Sequence, residues 1–311
     1  MSLTGPRVLV ISGATASGKT ALGVRLARRF DAEIVSADSI QIYHRLAIGS
    51  ARPDLEEQGG VAHHLLDFLP LEAPYDAARF RDDADRVIAS LNARKKRVIV
   101  VGGAGLYLRA LIAGLAEGIP ADPAVRAALH ARIASGGPSA LAEMHRELSL
   151  VDPTYAARIA PSDPIRIVRA LEVYQLSGEA LSAHHARHQA MPRRYNARWI
   201  CLETERSTLK ARIAARAQAM LDRGWLDEVR EILRDGHPPT LKPLQSVGYA
   251  EVIAHLQGRL ALRDLHEAIT LATAGFAKRQ RTWFRGEPDV VWQPLARFDD
   301  PRFVDALFDA V

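Results

Sequence analysis

Apolar positions along the chain recur with two different periods. Three short runs, Val8 to Ile11, Glu33 to Ser36 around Ile34-Val35, and Val98 to Val101 after Arg97, read as strands; an all-apolar run such as Val98 to Val101 suits a strand buried on both faces. Helical spacing takes over between them. Leu22, Val24, Leu26 and Ala27 among Arg25, Arg28 and Arg29 predict a helix over 21–30, and Phe80, Ala84, Val87, Ile88 and Leu91 predict one over 75–93. A third follows over 106–113. Strand and helix alternate, which argues for an α/β fold: a P-loop-containing parallel sheet with helices on both faces.

The pattern changes after Gly114. Residues 119–198 show helical segments and no clear strand, punctuated by Pro120, Pro123, Gly136-Gly137-Pro138, Pro153, Pro161, Pro164 and Pro192. A strand returns at 199–202, followed by helices over 206–221, 225–234 and 264–285 and a last strand at 290–292. The expected division is a discontinuous core of 1–118 and 199–295, an inserted, mostly helical domain of 119–198, and a C-terminal tail of 296–311.

Composition narrows the picture little. Of 311 residues 48% are hydrophobic and 25% charged, ordinary for a globular chain. No segment reaches the roughly 18 uninterrupted apolar residues of a membrane span. The chain enters its first strand almost at once, so no secretory signal is expected and the expected compartment is the cytoplasm. A single cysteine, Cys201 in the apolar run Trp199 to Leu202, excludes an internal disulfide and reads as a buried thiol. The net charge of +5 permits a nucleic-acid partner without demanding one.

Chemistry enters at the first turn. Gly13, Ala14, Thr15, Ala16, Ser17, Gly18, Lys19 and Thr20 fit G-x-x-x-x-G-K-[ST] between a strand and a helix. Backbone N–H groups of such a loop point at an anion, Lys19 adds a cation, and the Thr20 hydroxyl can hold Mg²⁺. Asp38 closes the second strand on the same sheet edge, where it can act as a general base or bind Mg²⁺ through water; a helix cap or turn residue is the plainer alternative. The strand at 98–101 ends in glycine, not in the acid of switch and motor ATPases, which favours a simpler transferase. Arg212 and Arg216 share a helix face, and Lys278 to Arg285 interleaves four cations with Trp283 and Phe284; each could contact phosphates or bases, or be a solvated face. Arg166, Arg169 and Arg193-Arg194 are weaker candidates of the same kind. His184 and His188 lack a third ligand, and His63-His64 reads as structural. Asp82-Asp83-Ala84-Asp85 approaches the D-D-x-x-D of prenyl synthases but has Arg86 at the fifth position.

In order and spacing, these segments resemble the tRNA dimethylallyltransferases, also called tRNA isopentenyltransferases, over nearly the whole chain. The phosphate loop is similar to G-P-T-A-S-G-K-T. Ser36 to Tyr43 is similar to S-A-D-S-x-Q-x-Y, and Gly49 to Pro53 to G-T-A-K-P. His63 to Asp67 is similar to H-H-x-x-D, and Gly102 to Tyr107 to G-G-T-G-L-Y. Gly248-Tyr249 matches G-Y, and Lys278 to Arg285 matches K-R-Q-x-T-W-F-R. Ala14 replaces the loop proline and Ala104 a threonine, which puts a hydroxyl contact at position 104 in doubt; Ser50 and Arg52 are mild swaps.

The resemblance implies transfer of a dimethylallyl group from dimethylallyl diphosphate to N6 of adenosine 37 of tRNA, next to the anticodon. It implies catalytic roles for Asp38, Lys19 and Arg216, diphosphate binding by residues 13–20, and Mg²⁺ at Thr20. On the RNA side it implies Asp38, Ser39, Ile40, Gln41 and Ala104. In the insert it implies Arg126, Ile165, Arg166, Ile167, Val168 and Arg169 against the anticodon stem-loop. It implies further contacts by Gln245, Ser246, Val247, Gly248, Tyr249 and Ala250, and by Lys278, Arg279, Gln280, Arg281, Thr282, Trp283, Phe284 and Arg285. A soluble monomer without a membrane partner is the expectation. The rival readings are an adenylate isopentenyltransferase, a P-loop small-molecule kinase, and a non-catalytic RNA-binding protein with a relic loop.

Overall fold

The computed structural model describes residues 7–116 and 122–308. The chain forms two compact units, one of Met1–Ile112 with Arg194–Val311 and one of Ala113–Arg193; the expected insert boundary at Ile119 lies outside the described residues. The first unit begins with β1 (Arg7–Gly13), α1 (Lys19–Phe30), β2 (Ala32–Ala37), α2 (Leu55–Gln58), β3 (His63–His64), α3 (Ala77–Ala93), β4 (Arg97–Gly102) and α4 (Gly105–Ile112). The second holds α5 (Pro123–Val151), α6 (Pro153–Ala156), α7 (Pro164–Ser177) and α8 (Leu181–Gln189). The first resumes with β5 (Asn196–Glu203), α9 (Arg206–Asp222), α10 (Trp225–Arg234), α11 (Tyr249–Leu256), α12 (Leu262–Arg285), β6 (Val290–Pro294) and α13 (Pro301–Asp305).

The sheet is six-stranded in the order β3-β2-β4-β1-β5-β6, and every pairing is parallel. Its central strands are the apolar runs, buried on both faces as parallel strands must be. Alternation sends Leu9, Ile11, Ile99, Val101, Ile200 and Leu202 to one core, which α1 covers with Leu22, Val24, Leu26 and Ala27. The intervening residues face the other side, where α12 sets Trp283 and Phe284 against Trp199. The segment read as a C-terminal tail completes the first core instead: Phe298, Val304, Leu307 and Phe308 are buried in it.

Several elements depart from the periodicity reading. β3 is only two residues long; His64 bonds Glu33 at 2.7 Å and His63 bonds Val61 O at 2.9 Å, a structural pair. Among the described residues no group of three His, Cys, Asp or Glu could hold a metal. Gly136-Gly137-Pro138 does not end a helix with a loop. It kinks α5, with Gly137 at φ 56°, ψ −141°. Arg194, a candidate phosphate contact, is used where the insertion is rooted: its N–H donates to Ile112 O at 2.9 Å and its guanidinium to Leu111 O at 3.0 Å, and it bonds Asp85. Cys201 is buried in β5, and burial pushes its thiol up to about 12.

Candidate active site

The turns at the C-terminal ends of β1, β2 and β4 come together, as the parallel order requires. The phosphate loop leaves β1 and tightens through Ala16 at φ 63° and Gly18 at φ 93°, the left-handed N-cap of α1. Ser17 N–H donates to Ala14 O at 3.2 Å, closing the loop on itself. Arg216 of α9 donates to Thr15 Oγ1 from across the site. Asp38 follows β2; its Oδ1 accepts from Ile40 N at 2.9 Å and Gln41 N at 3.3 Å, while Oδ2 carries no hydrogen bond among the described residues. The capping reading of Asp38 therefore describes one oxygen and leaves the other available.

Three cavities meet here, one of about 700 Å³ lying over Ala16, Gly18, Lys19, Thr20, Arg212 and Arg216. A small one of about 60 Å³ is lined by Lys19, Thr20, Ser36, Asp38, His63 and Arg216. An intermediate one of about 380 Å³ shares Thr15, Asp38, Ser50 and Arg216 with the small one, then runs past Ser39, Ile40, Ala104 and Gln245 to Val247. Ile213, Ala217, Met220, Trp225 and Ile269 give this intermediate cavity an apolar wall. Asp38 and Arg216 thus stand at the junction of a cationic chamber and a partly apolar one. The protein crowded around the Lys19 ammonium pushes its pKa down to about 8, against the opposing pull of Asp38 and with Arg216 adding to the fall. Burial likewise lowers Arg216, and Asp38 again opposes it.

The other named residues divide. Lys278, Arg281, Thr282 and Arg285 line a separate groove of about 320 Å³ between α9 and α12, together with Arg206 and Lys210. Arg279 lines the cavity of about 380 Å³ that also holds Ala104 and Gln245. Gln280, Phe284, Gly248 and Tyr249 are buried, and Ala250 is half-buried. In the second unit Ile165 is 76% exposed and Arg166 pairs with Asp163, whereas Ile167 and Val168, placed on the RNA side by resemblance, are core residues. Arg126 and Arg169 both pair with Glu172, which is fully buried, leaving the guanidiniums partly exposed.

One feature escaped the sequence reading. The carboxylate of Glu228 in α10 accepts from three successive backbone N–H groups, Ala47, Ile48 and Gly49, at 2.9, 2.6 and 3.2 Å, and from the Tyr249 hydroxyl at 2.8 Å. It pins the loop that carries Ser50 and Ala51, whose carbonyls in turn accept from Gln41 Nε2. Nothing local in α10 announces this, because its partner lies about 180 residues away in the chain.

A parallel sheet with a glycine phosphate loop on its carboxyl edge and an anchored carboxylate beside it defines an α/β protein of the phosphate-loop type. The family model described as IPP transferase matches residues 41–287. A tRNA dimethylallyltransferase of Geobacter metallireducens is 42% identical over 286 residues, covering 92% of each chain. Another, of Trichlorobacter lovleyi, is 45% identical over 92% of this chain and 93% of its own. The crystal structure of the tRNA isopentenylpyrophosphate transferase of Bacillus halodurans superposes with a TM-score of 0.71 at 33% identity, covering 97% of both chains. A eukaryotic dimethylallyltransferase acting on tRNA gives 0.78 at 26% identity over 97% of this chain and 78% of its own. The chain belongs to the tRNA dimethylallyltransferase (IPP transferase) family.

Proposed function

We propose that this protein transfers the dimethylallyl group of dimethylallyl diphosphate to N6 of adenosine 37 in tRNA, releasing diphosphate. The observation that carries the reading is the shared wall: Thr15, Asp38 and Arg216 line both the cationic chamber and the partly apolar cavity beside it. A diphosphate held in the first points its prenyl carbon toward the second, where an adenine drawn out of the anticodon stack can enter. The unbonded oxygen of Asp38 accepts a proton from N6 as the nitrogen bonds to C1. The C1–oxygen bond breaks, and the electron pair leaves with diphosphate. Loop N–H groups, Lys19 and Arg216 stabilise that developing charge.

Hard oxygen donors fit Mg²⁺, which takes one or two protein oxygens and completes its shell with phosphate and water. The Thr20 hydroxyl lines the same cationic chamber and supplies one such oxygen. Thr20 would hold the ion, directly or through water, and the ion would supply charge neutralisation on the leaving diphosphate. The second unit, with Arg126, Arg166 and Arg169, would grip the anticodon stem-loop, and the cytoplasm is the compartment this chemistry fits. Among the described residues no helix is long and apolar enough to cross a membrane.

Labelled dimethylallyl diphosphate offered with bulk tRNA, with AMP or alone tests the proposal. Label in tRNA supports it; label in AMP alone, or none in either, overturns it. Asp38→Asn should keep tRNA affinity within about 2-fold and lower turnover by about 10²-fold or more. Unchanged turnover would remove the general base.

A further inference from the structure

Gln280 stands among exposed cations yet is only 8% exposed itself. It lies on α12, where Lys278, Arg279 and Arg285 face outward, and its amide reaches inward to two separate turns. Its Oε1 accepts from the Thr15 backbone N–H of the phosphate loop at 2.8 Å. Its Nε2 donates to Gly103 O, in the turn after β4, at 3.0 Å. One partner can only donate and the other can only accept, so the orientation of the amide is determined. A side chain at position 103 has no room, since an added Cβ would lie 2.4 Å from Nε2.

The contacts continue beyond the amide. Thr15 is held a second time, through its hydroxyl, by Arg216. The turn after β4 is bonded in turn to the end of β2: Ala104 N–H donates to Ala37 O at 3.1 Å, one residue before Asp38. A route of three hydrogen bonds therefore joins the phosphate loop to the strand end that carries the base, and Gln280 supplies two of them. In-line transfer needs the leaving group and the base at a set separation, and misplacement of about 1 Å can cost 10²-fold in rate.

We propose that Gln280 is a positioning residue for the transfer step, fixing the phosphate loop relative to the strand end that bears Asp38. The proposal rests on the transferase reading above. It assigns Gln280 a role beyond lining the cavity that would receive the base, because its amide already joins two separate turns.

Two substitutions test it. Gln280→Met removes both hydrogen bonds at similar volume; the expected result is kcat lowered about 10-fold or more with KM for tRNA within about 2-fold. Gln280→Glu keeps the acceptor for Thr15 but, when ionised, presents no proton to Gly103 O; when protonated it restores both bonds. Its activity relative to wild type should therefore rise several-fold from about pH 8 to about pH 6, a change that a packing role would not produce. A flat ratio, or a loss confined to KM for tRNA, would overturn the proposal. If the Met variant does not fold, as its melting curve would show, the pH series of the Glu variant decides. If the wild type transfers no prenyl group, the function above fails. Titration with inorganic diphosphate then judges Gln280 alone: about 10-fold weaker binding in Gln280→Met supports a role in shaping the loop, and equal binding refutes it.

Discussion

Lys19 carries a charge in a place that opposes it. Burial holds its pKa near 8 against the usual 10.5, so the empty loop begins to lose its cation just above neutral pH. Affinity for inorganic diphosphate, followed by calorimetry, should fall as the pH rises from about 7 to about 9, because the ammonium that meets the anion is being lost. The sign for stability is the reverse. Between pH 8 and 10.5 the unfolded chain binds more protons at this site than the folded one, so this group's contribution to stability rises with pH across that window. Lys19→Met should therefore stabilise the ligand-free protein by about 1–3 kcal/mol in denaturant unfolding while abolishing diphosphate binding. Glu172 shows the opposite balance. Two arginines hold its carboxyl below the ordinary value of 4.5 despite the cost of burial. The stability it contributes is present above that value and lost as the pH falls through its lowered one. Glu172→Ala should cost about 1–3 kcal/mol, chiefly from Asp122 N–H losing its acceptor, because the freed arginines can turn to water.

Elements begin and end here for reasons that are partly written in dipeptides. Asp-Pro occurs at 122–123, 152–153, 163–164 and 300–301, and each time the Asp carboxylate caps a helix whose first residue is the proline. Of the prolines read as punctuation in the sequence, Pro123, Pro153 and Pro164 are starts, whereas Pro138 lies in the kink of α5. Long amphipathic helices were legible because their period repeats several times; α10 falls on the residues that its spacing predicts. β3 and α2 were not, because two or four residues carry no period. The core of the site was legible for a different reason: Gly13 to Thr20 and Asp38 are local in sequence and lie at strand ends. Gln280 and Glu228 were illegible as supports because their partners are distant in the chain. Gly49 shows how tightly such a support is packed. A Cβ there would lie 2.0 Å from Trp225 Nε1 and 2.5 Å from the Tyr249 ring. Gly49→Ala should destabilise the first unit by about 2–3 kcal/mol, read from its melting curve, as the Glu228-pinned loop is pushed off its seat.

At the level of the whole molecule, the second unit is inserted at one point. The chain leaves at Ile112 and returns at Arg194, and these two residues are hydrogen-bonded to each other. Asp85 of α3 secures the return by accepting from both Arg194 and Tyr195. Replacing 113–193 with a short Gly-Ser linker should leave the six-stranded sheet folded and able to bind inorganic diphosphate. Transfer to tRNA should be lost. A deletion variant that transfers at the wild-type rate would mean the first unit alone recognises the RNA.

The solitary thiol has a practical corollary. Cys201 is shielded within the sheet and far from ionised at neutral pH, so maleimides have nothing to attack in the native protein. A cysteine introduced at exposed Thr282 would then be the one labelled position. A fluorophore there could report the arrival of a polynucleotide without any native residue first being engineered away.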